Sequence, residues 1–152
     1  MKIDSGNTTA NIFVIQRDGG EPRQVTTDAD RVSLNSLAWS PDGRLIAFSA
    51  SDKTLRIVPA AGGTSRILAE VAGSGLTWSP DGQTLAYVSG GALWRIPAAG
   101  GAPTKIETGL DARLERPVWS PDGKRIAFSA ASGGEHEFWL IEDFVHLVKS
   151  AR

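Results

Sequence analysis

Trp39-Ser40-Pro41-Asp42-Gly43 decides the fold, because it returns as Trp78-Ser79-Pro80-Asp81-Gly82 and again as Trp119-Ser120-Pro121-Asp122-Gly123. The Trp-to-Trp intervals are 39 and 41 residues, and a fixed period of that length marks a repeat architecture. Each copy carries its own turn chemistry. Proline presets φ at the second turn position, aspartate tolerates the third and bonds nearby backbone, and glycine takes the left-handed conformation that starts the returning strand. Pro41, Asp42, Gly43 and their counterparts Pro80, Asp81, Gly82, Pro121, Asp122 and Gly123 therefore read as hairpin residues rather than as an ion site. Trp39, Trp78 and Trp119 read as packing between adjacent sheets.

Outward from these turns a second element repeats. Leu55-Arg56-Ile57-Val58-Pro59-Ala60-Ala61-Gly62-Gly63 matches Leu93-Trp94-Arg95-Ile96-Pro97-Ala98-Ala99-Gly100-Gly101. Ile12–Ile15 before Gly19-Gly20 is a third copy, and Phe138–Ile141 a fourth without the glycine pair. Each unit reads as four short strands bounded by turns, with no sustained helical periodicity. The fold class is all-β, a β-propeller of four-stranded antiparallel blades. About three to three and a half blades fit in the chain: a half blade at 11–26 and blades at 36–69, 74–108 and 115–149.

The WSPDG block with its Ile/Leu-Ala-Phe/Tyr strand, followed by the Ala-x-Gly-Gly block, resembles the TolB-like β-propeller repeat, also called the WD40-like Asp-Pro-containing repeat. The resemblance runs from about Asn11 to Asp143. The Gly-His and Trp-Asp dipeptides of the ordinary WD class are absent. Related propellers also stand as gating domains beside serine-peptidase domains, and the hydrolase half has no counterpart in these 152 residues.

Thirteen or fourteen strands fall short of the 4–8 blades a ring needs. Two explanations fit: the chain is the C-terminal piece of a longer propeller, a reading the opening Met1–Gly6 favours, or it closes with a second copy as a head-to-tail homodimer. An open half-propeller would leave sheet edges and an inter-blade face bare. Closure would set three blades per chain in a six-bladed ring, with Phe138–Glu142 and Asn11–Gln16 contending for one strand position, unless the blades stay separate and approach eight.

Composition narrows the function. Lys plus Arg number 16 against 17 Asp plus Glu, a net charge of −1. With no continuous basic tract, nucleic-acid binding is not expected. The absence of cysteine excludes a disulfide framework, a thiolate metal site and a cysteine nucleophile. No apolar run of membrane-spanning length and no signal-peptide pattern is present, so no membrane partner is expected, and a cytoplasmic or periplasmic setting fits equally. No Gly-x-Ser-x-Gly elbow occurs. Gly73-Ser74-Gly75 lacks its spacing and reads as a flexible loop. Glu135-His136-Glu137 reads as an exposed loop, and since adjacent residues on a strand point different ways a shared metal is disfavoured, while lone His146 supplies too few ligands. No enzyme activity, metal or cofactor is expected.

Binding is expected on the loops that join strands two to three and four to one, since they vary while the opposite turns are uniform. The candidates are Asp28, Asp30, Arg31, Asp52, Asp111, Arg113, Arg116, Glu135 and His136. The reading is a non-catalytic scaffold for an unidentified protein or peptide. A ligand- or carbohydrate-binding propeller with an ion in its channel is the alternative, and a repeat fragment with no role beyond folding and assembly is a third.

Overall fold

The computed structural model describes residues 10–27, 30, 32–132 and 135–141. Thirteen strands form four antiparallel sheets among them. The first sheet pairs β1 (Phe13–Gln16) with β2 (Gly19–Gln24). The second runs in sequence order through β3 (Val32–Trp39), β4 (Leu45–Ala50), β5 (Leu55–Pro59) and β6 (Arg66–Ala69). The third repeats that meander with β7 (Ser74–Trp78), β8 (Thr84–Ser89), β9 (Ala92–Pro97) and β10 (Thr104–Lys105). The fourth holds β11 (Arg113–Trp119), β12 (Ile126–Ser132) and β13 (Glu135–Ile141).

The Ser-Pro-Asp-Gly turns close identically. In each, the serine hydroxyl donates to the aspartate Oδ1, at 2.6 Å for Ser40–Asp42, 2.6 Å for Ser79–Asp81 and 2.5 Å for Ser120–Asp122. The same serine oxygen accepts the amide five residues on, at 2.9 Å from Leu45, Thr84 and Arg125. Gly43, Gly82 and Gly123 sit at φ near 70° (71°, 70° and 71°), as the turn requires. Successive turns lie side by side: a Cβ on Gly82 would stand 3.7 Å from Pro41, and one on Gly123 would stand 3.5 Å from Pro80.

The sheets stack face to face, and every junction is an apolar layer. Ile12 and Val25 of the first sheet's segment meet Ile46, Phe48 and Val58. Ala47, Leu55, Ile57 and Leu68 on the other side of that sheet meet Leu76, Trp78, Leu85, Tyr87 and Ile96. Ala86, Val88, Leu93 and Ile106 meet Leu114, Ile126 and Phe128. Each central strand is therefore apolar on both faces. This explains the near-continuous runs Leu45–Phe48 and Leu85–Val88, which do not alternate as a half-exposed strand would.

The outer edges carry a second repeated contact. Arg23 donates to the carbonyls of Ala60 (2.7 Å) and Ala61 (2.8 Å) in the next sheet's Ala-Ala-Gly-Gly turn. Arg66 donates to Ala98 of the following turn in the same way. Both arginines stand three residues after a Gly-Gly pair. Thr104 takes that place in the third repeat, where no Ala-Ala-Gly-Gly turn follows.

Several sequence expectations shift. β3 begins at Val32, ahead of the blade start expected at residue 36. Glu135–Glu137 belongs to β13, because pairing with β12 runs unbroken from Ser132↔Glu135 to Ile126↔Ile141. Gly73-Ser74-Gly75 is no flexible loop. The Gly73 carbonyl accepts the Ser49 hydroxyl at 2.6 Å, and Ser74 and Gly75 open β7.

The tryptophans divide. Trp78 is buried at 6% exposure and Trp119 packs against the third apolar layer, but Trp39 is 46% exposed. Trp78 lies against the inner strand β3, whereas the first sheet, preceding Trp39, supplies no inner strand among the described residues. Met1–Gly6, His146 and the end of the blade expected at 115–149 lie outside the described residues.

Candidate functional site

Strands alternate in direction, so the Ser-Pro-Asp-Gly and Ala-Gly-Gly turns share one face of the stack. On that face the chemistry is spent internally. The carboxyls of Asp42, Asp81 and Asp122 are held below the usual aspartate range, first by the neighbouring serine hydroxyl and then by the backbone amide two residues on. Those aspartates are turn acceptors.

The opposite face carries a cleft of about 910 Å³ between the third and fourth sheets. Its walls are Ala72–Gly75 at the start of β7, Val88–Gly91 at the β8–β9 hairpin, and Ala112–Arg116 entering β11. The hairpin turns through Gly90 (φ 59°) and Gly91 (φ 78°), as a two-residue primed turn requires. A smaller cavity of about 290 Å³ adjoins it, with Asp111 in its lining.

Arg116 is the conformational outlier of this cleft. Its φ is +52°, in a bulge where the β11–β12 register shifts between Glu115 and Val118. The same bulge occurs in β7 between Ser74 and Thr77, and there the corresponding residue is Gly75 at φ +60°. A left-handed arginine costs about 1–3 kcal/mol. Packing fixes it: a Cβ on Gly75 would fall 2.7 Å from Pro117 Cδ and 3.2 Å from the Arg116 amide, so the two bulges are pressed together. The Arg116 side chain is exposed and forms no ion pair or hydrogen bond with a described residue. Arg113 crosses Gly91 and pairs with Glu115 at 3.2 Å, leaving Glu115 as the cleft's sole carboxylate among the described residues.

The expected binding residues separate into groups. Arg113 and Arg116 come together at the cleft, with Asp111 beside it. Asp30 lies inside the fold rather than on an exposed loop, at 7% exposure. It accepts the Thr27 amide at 2.7 Å and the Ser65 hydroxyl, with the Arg56 guanidinium 3.9 Å away. Burial pushes its pKa up, but the hydrogen bonds from Ser65 and Thr27 and the charge of Arg56 outweigh this and hold it below the usual value. Asp52 accepts the Thr54 hydroxyl at 2.6 Å and Arg56 at 2.7 Å, and these partners lower its pKa despite partial burial. Both aspartates thus brace Arg56. Asp28 and Arg31 lie outside the described residues, and Glu135 and His136 are placed on β13 by backbone alone.

Sequence reasoning took Gly75 for part of a flexible loop and passed over Gly90 and Gly91. Aligning the bulges, three residues before each tryptophan, would have found the Gly75–Arg116 correspondence. Among the described residues no three His, Cys, Asp or Glu side chains stand together as a metal set. No helix there is long and apolar enough to cross a membrane.

Residues 21–58 match the WD domain, G-beta repeat family, a window running from β2 through β5. No curated protein sequence matches the chain. Among solved structures, a TolB-type protein from Agrobacterium tumefaciens superposes with a TM-score of 0.69 at 23% identity, over 90% of this chain and 52% of its own. TolB from Acinetobacter baumannii gives 0.72 at 19% identity, over 87% of this chain and 35% of its own. A chain of a nidogen/laminin complex gives 0.63 at 11% identity, over 83% and 56%. The chain spans between about a third and somewhat over half of these proteins. Their likeness is one of fold.

Proposed function

We propose that this chain is a non-catalytic, protein-binding β-propeller scaffold of the TolB-like kind, closed into a ring by a second copy of itself. The observation that carries the reading is the state of the two ends of the sheet stack. At the first end Leu37 (56%) and Trp39 (46%) are exposed on the inner strand β3, with Phe13 (55%) and Ile15 (53%) bare on β1. At the last end Val118 on β11 is 59% exposed. Large apolar side chains gathered at an open sheet face mark an interaction surface.

The repeat supplies the fit. Trp78 Nε1 donates to the Ala38 carbonyl at 3.1 Å, one residue before Trp39. Val118 holds the same place before Trp119. In a head-to-tail pair Trp39 of one copy lies against Val118 of the other and repeats the Trp78–Ala38 contact. The strands β11 and β12 then fill the inner positions beside β1 and β2, which gives three blades per chain and a six-bladed ring. In that ring β13 and β1 contend for the third position, and one gives way. The interface is heterologous and closes after two copies. The two-to-three and four-to-one loop face, with Asp52, Asp111, Arg113 and Arg116 on it, Asp30 behind it, and Glu135 and His136 at the start of β13, is the side offered to a protein or peptide.

Two variants test the head-to-tail geometry. Trp39→Asp and Val118→Asp each spoil both junctions of a homodimer, so each alone is monomeric by light scattering. Mixed, they retain one junction free of substitution and form a heterodimer. A mixture that stays monomeric, or single variants that stay dimeric, contradicts the proposal.

A further inference from the structure

The cleft between the third and fourth sheets has a chemistry that the fold itself does not use. Arg116 occupies a left-handed bulge position that the preceding repeat fills with Gly75, and its guanidinium forms no ion pair or hydrogen bond with a described residue. Glycine would meet the backbone requirement without strain. An arginine there adds an exposed cation to the lining of a cleft walled by Gly73, Gly75, Gly90 and Gly91. Arg113 lines the same cleft and shares its charge with Glu115, so the described lining carries two cations against one carboxylate. The volume of about 910 Å³ lies within the range of true ligand sites. Side chains are small along the walls, so an extended main chain can lie close to the sheet edges.

We propose that this cleft binds an acidic segment of an extended peptide, with Arg116 as the anchor that grips a carboxylate through its two-pronged guanidinium. A planar fork of donors matches a carboxylate in geometry as well as charge. The proposal deepens the scaffold reading by naming the partner's chemistry, and it rests on the protein-binding part of that reading and not on ring closure.

The test uses fluorescein-labelled hexaglutamate and measures anisotropy with the wild-type protein and with Arg116→Gly. The wild type binds hexaglutamate, and the affinity falls as salt rises. Arg116→Gly weakens binding at least tenfold while its melting temperature rises, because glycine relieves the left-handed strain. Hexalysine does not bind. Equal affinity of the two proteins for hexaglutamate overturns the proposal, as does a fall in melting temperature in Arg116→Gly. Inorganic phosphate that displaces the peptide at equal carboxylate and phosphate concentration also overturns it, since the site would then be a simple anion site. The mass of Arg116→Gly by light scattering equals that of the wild type, so a failure of ring closure and a failure of this cleft give separate results.

Discussion

Trp78 donates its indole N–H to the carbonyl of Ala38, 3.1 Å away and one repeat earlier. That bond ties two sheets at their inner strands, and the surrounding side chains seal it. Trp78→Ala removes a buried aromatic and costs about 3–5 kcal/mol. Trp39→Ala, at a position 46% exposed, costs under about 1 kcal/mol in the dissociated chain. Urea unfolding at low protein concentration checks both, and comparable losses would show that the two tryptophans do not differ in setting.

The Ser-Pro-Asp-Gly turns hold the inner hairpins through one serine oxygen. Ser79→Ala strips the Thr84 amide of its acceptor at 2.9 Å and lowers stability by about 1–3 kcal/mol. Gly82→Ala has space for its methyl but must hold φ at +70°, which costs about 1–2 kcal/mol. Denaturation midpoints of the two variants are the readout.

The Arg66 contact with the Ala98 carbonyl repeats that of Arg23 with Ala60 and Ala61. Arg23→Ala and Arg66→Ala each cost about 1 kcal/mol. They act at different junctions, so the double variant shows the sum. Thr104→Arg gains nothing, since no Ala-Ala-Gly-Gly turn follows it. A clear gain in melting temperature for Thr104→Arg would count against this account of the clamp.

Much of this was legible in the sequence, and the limit is physical. Turn chemistry is local, so residues 40–43 announce their hairpin without help from distant parts of the chain. The repeat period then supplies the stacking. Trp39 and Asp30 escape such a reading because their surroundings come from other sheets. The same tryptophan is core or surface according to whether an inner strand precedes it, and Asp30 is drawn inside by Ser65 and Arg56. Arg113 and Arg116 were legible as loop-face cations. Their union in a cleft with Gly75, Gly90 and Gly91 depends on how two sheets meet, and no single repeat contains it.

Acid weakens the fold through its hydrogen-bonded aspartates, Asp30 and Asp52 among them. Their folded pKa values lie below the ordinary 3.8, so the unfolded chain takes up protons first as pH falls. The stability they contribute is complete above the unfolded value and is lost as pH drops through it toward the folded value. Urea midpoints therefore fall between pH 5 and pH 3, by the rough span of the ordinary aspartate titration. Asp30→Asn shows a smaller fall over the same interval. An unchanged pH dependence in that variant would remove Asp30 from the explanation.

Ring closure by a second copy is tested most directly by the mass of the wild-type protein in solution. Light scattering at micromolar concentration should give twice the chain mass of 16.1 kDa. A mass that remains at 16.1 kDa across that concentration range would contradict closure with a second copy.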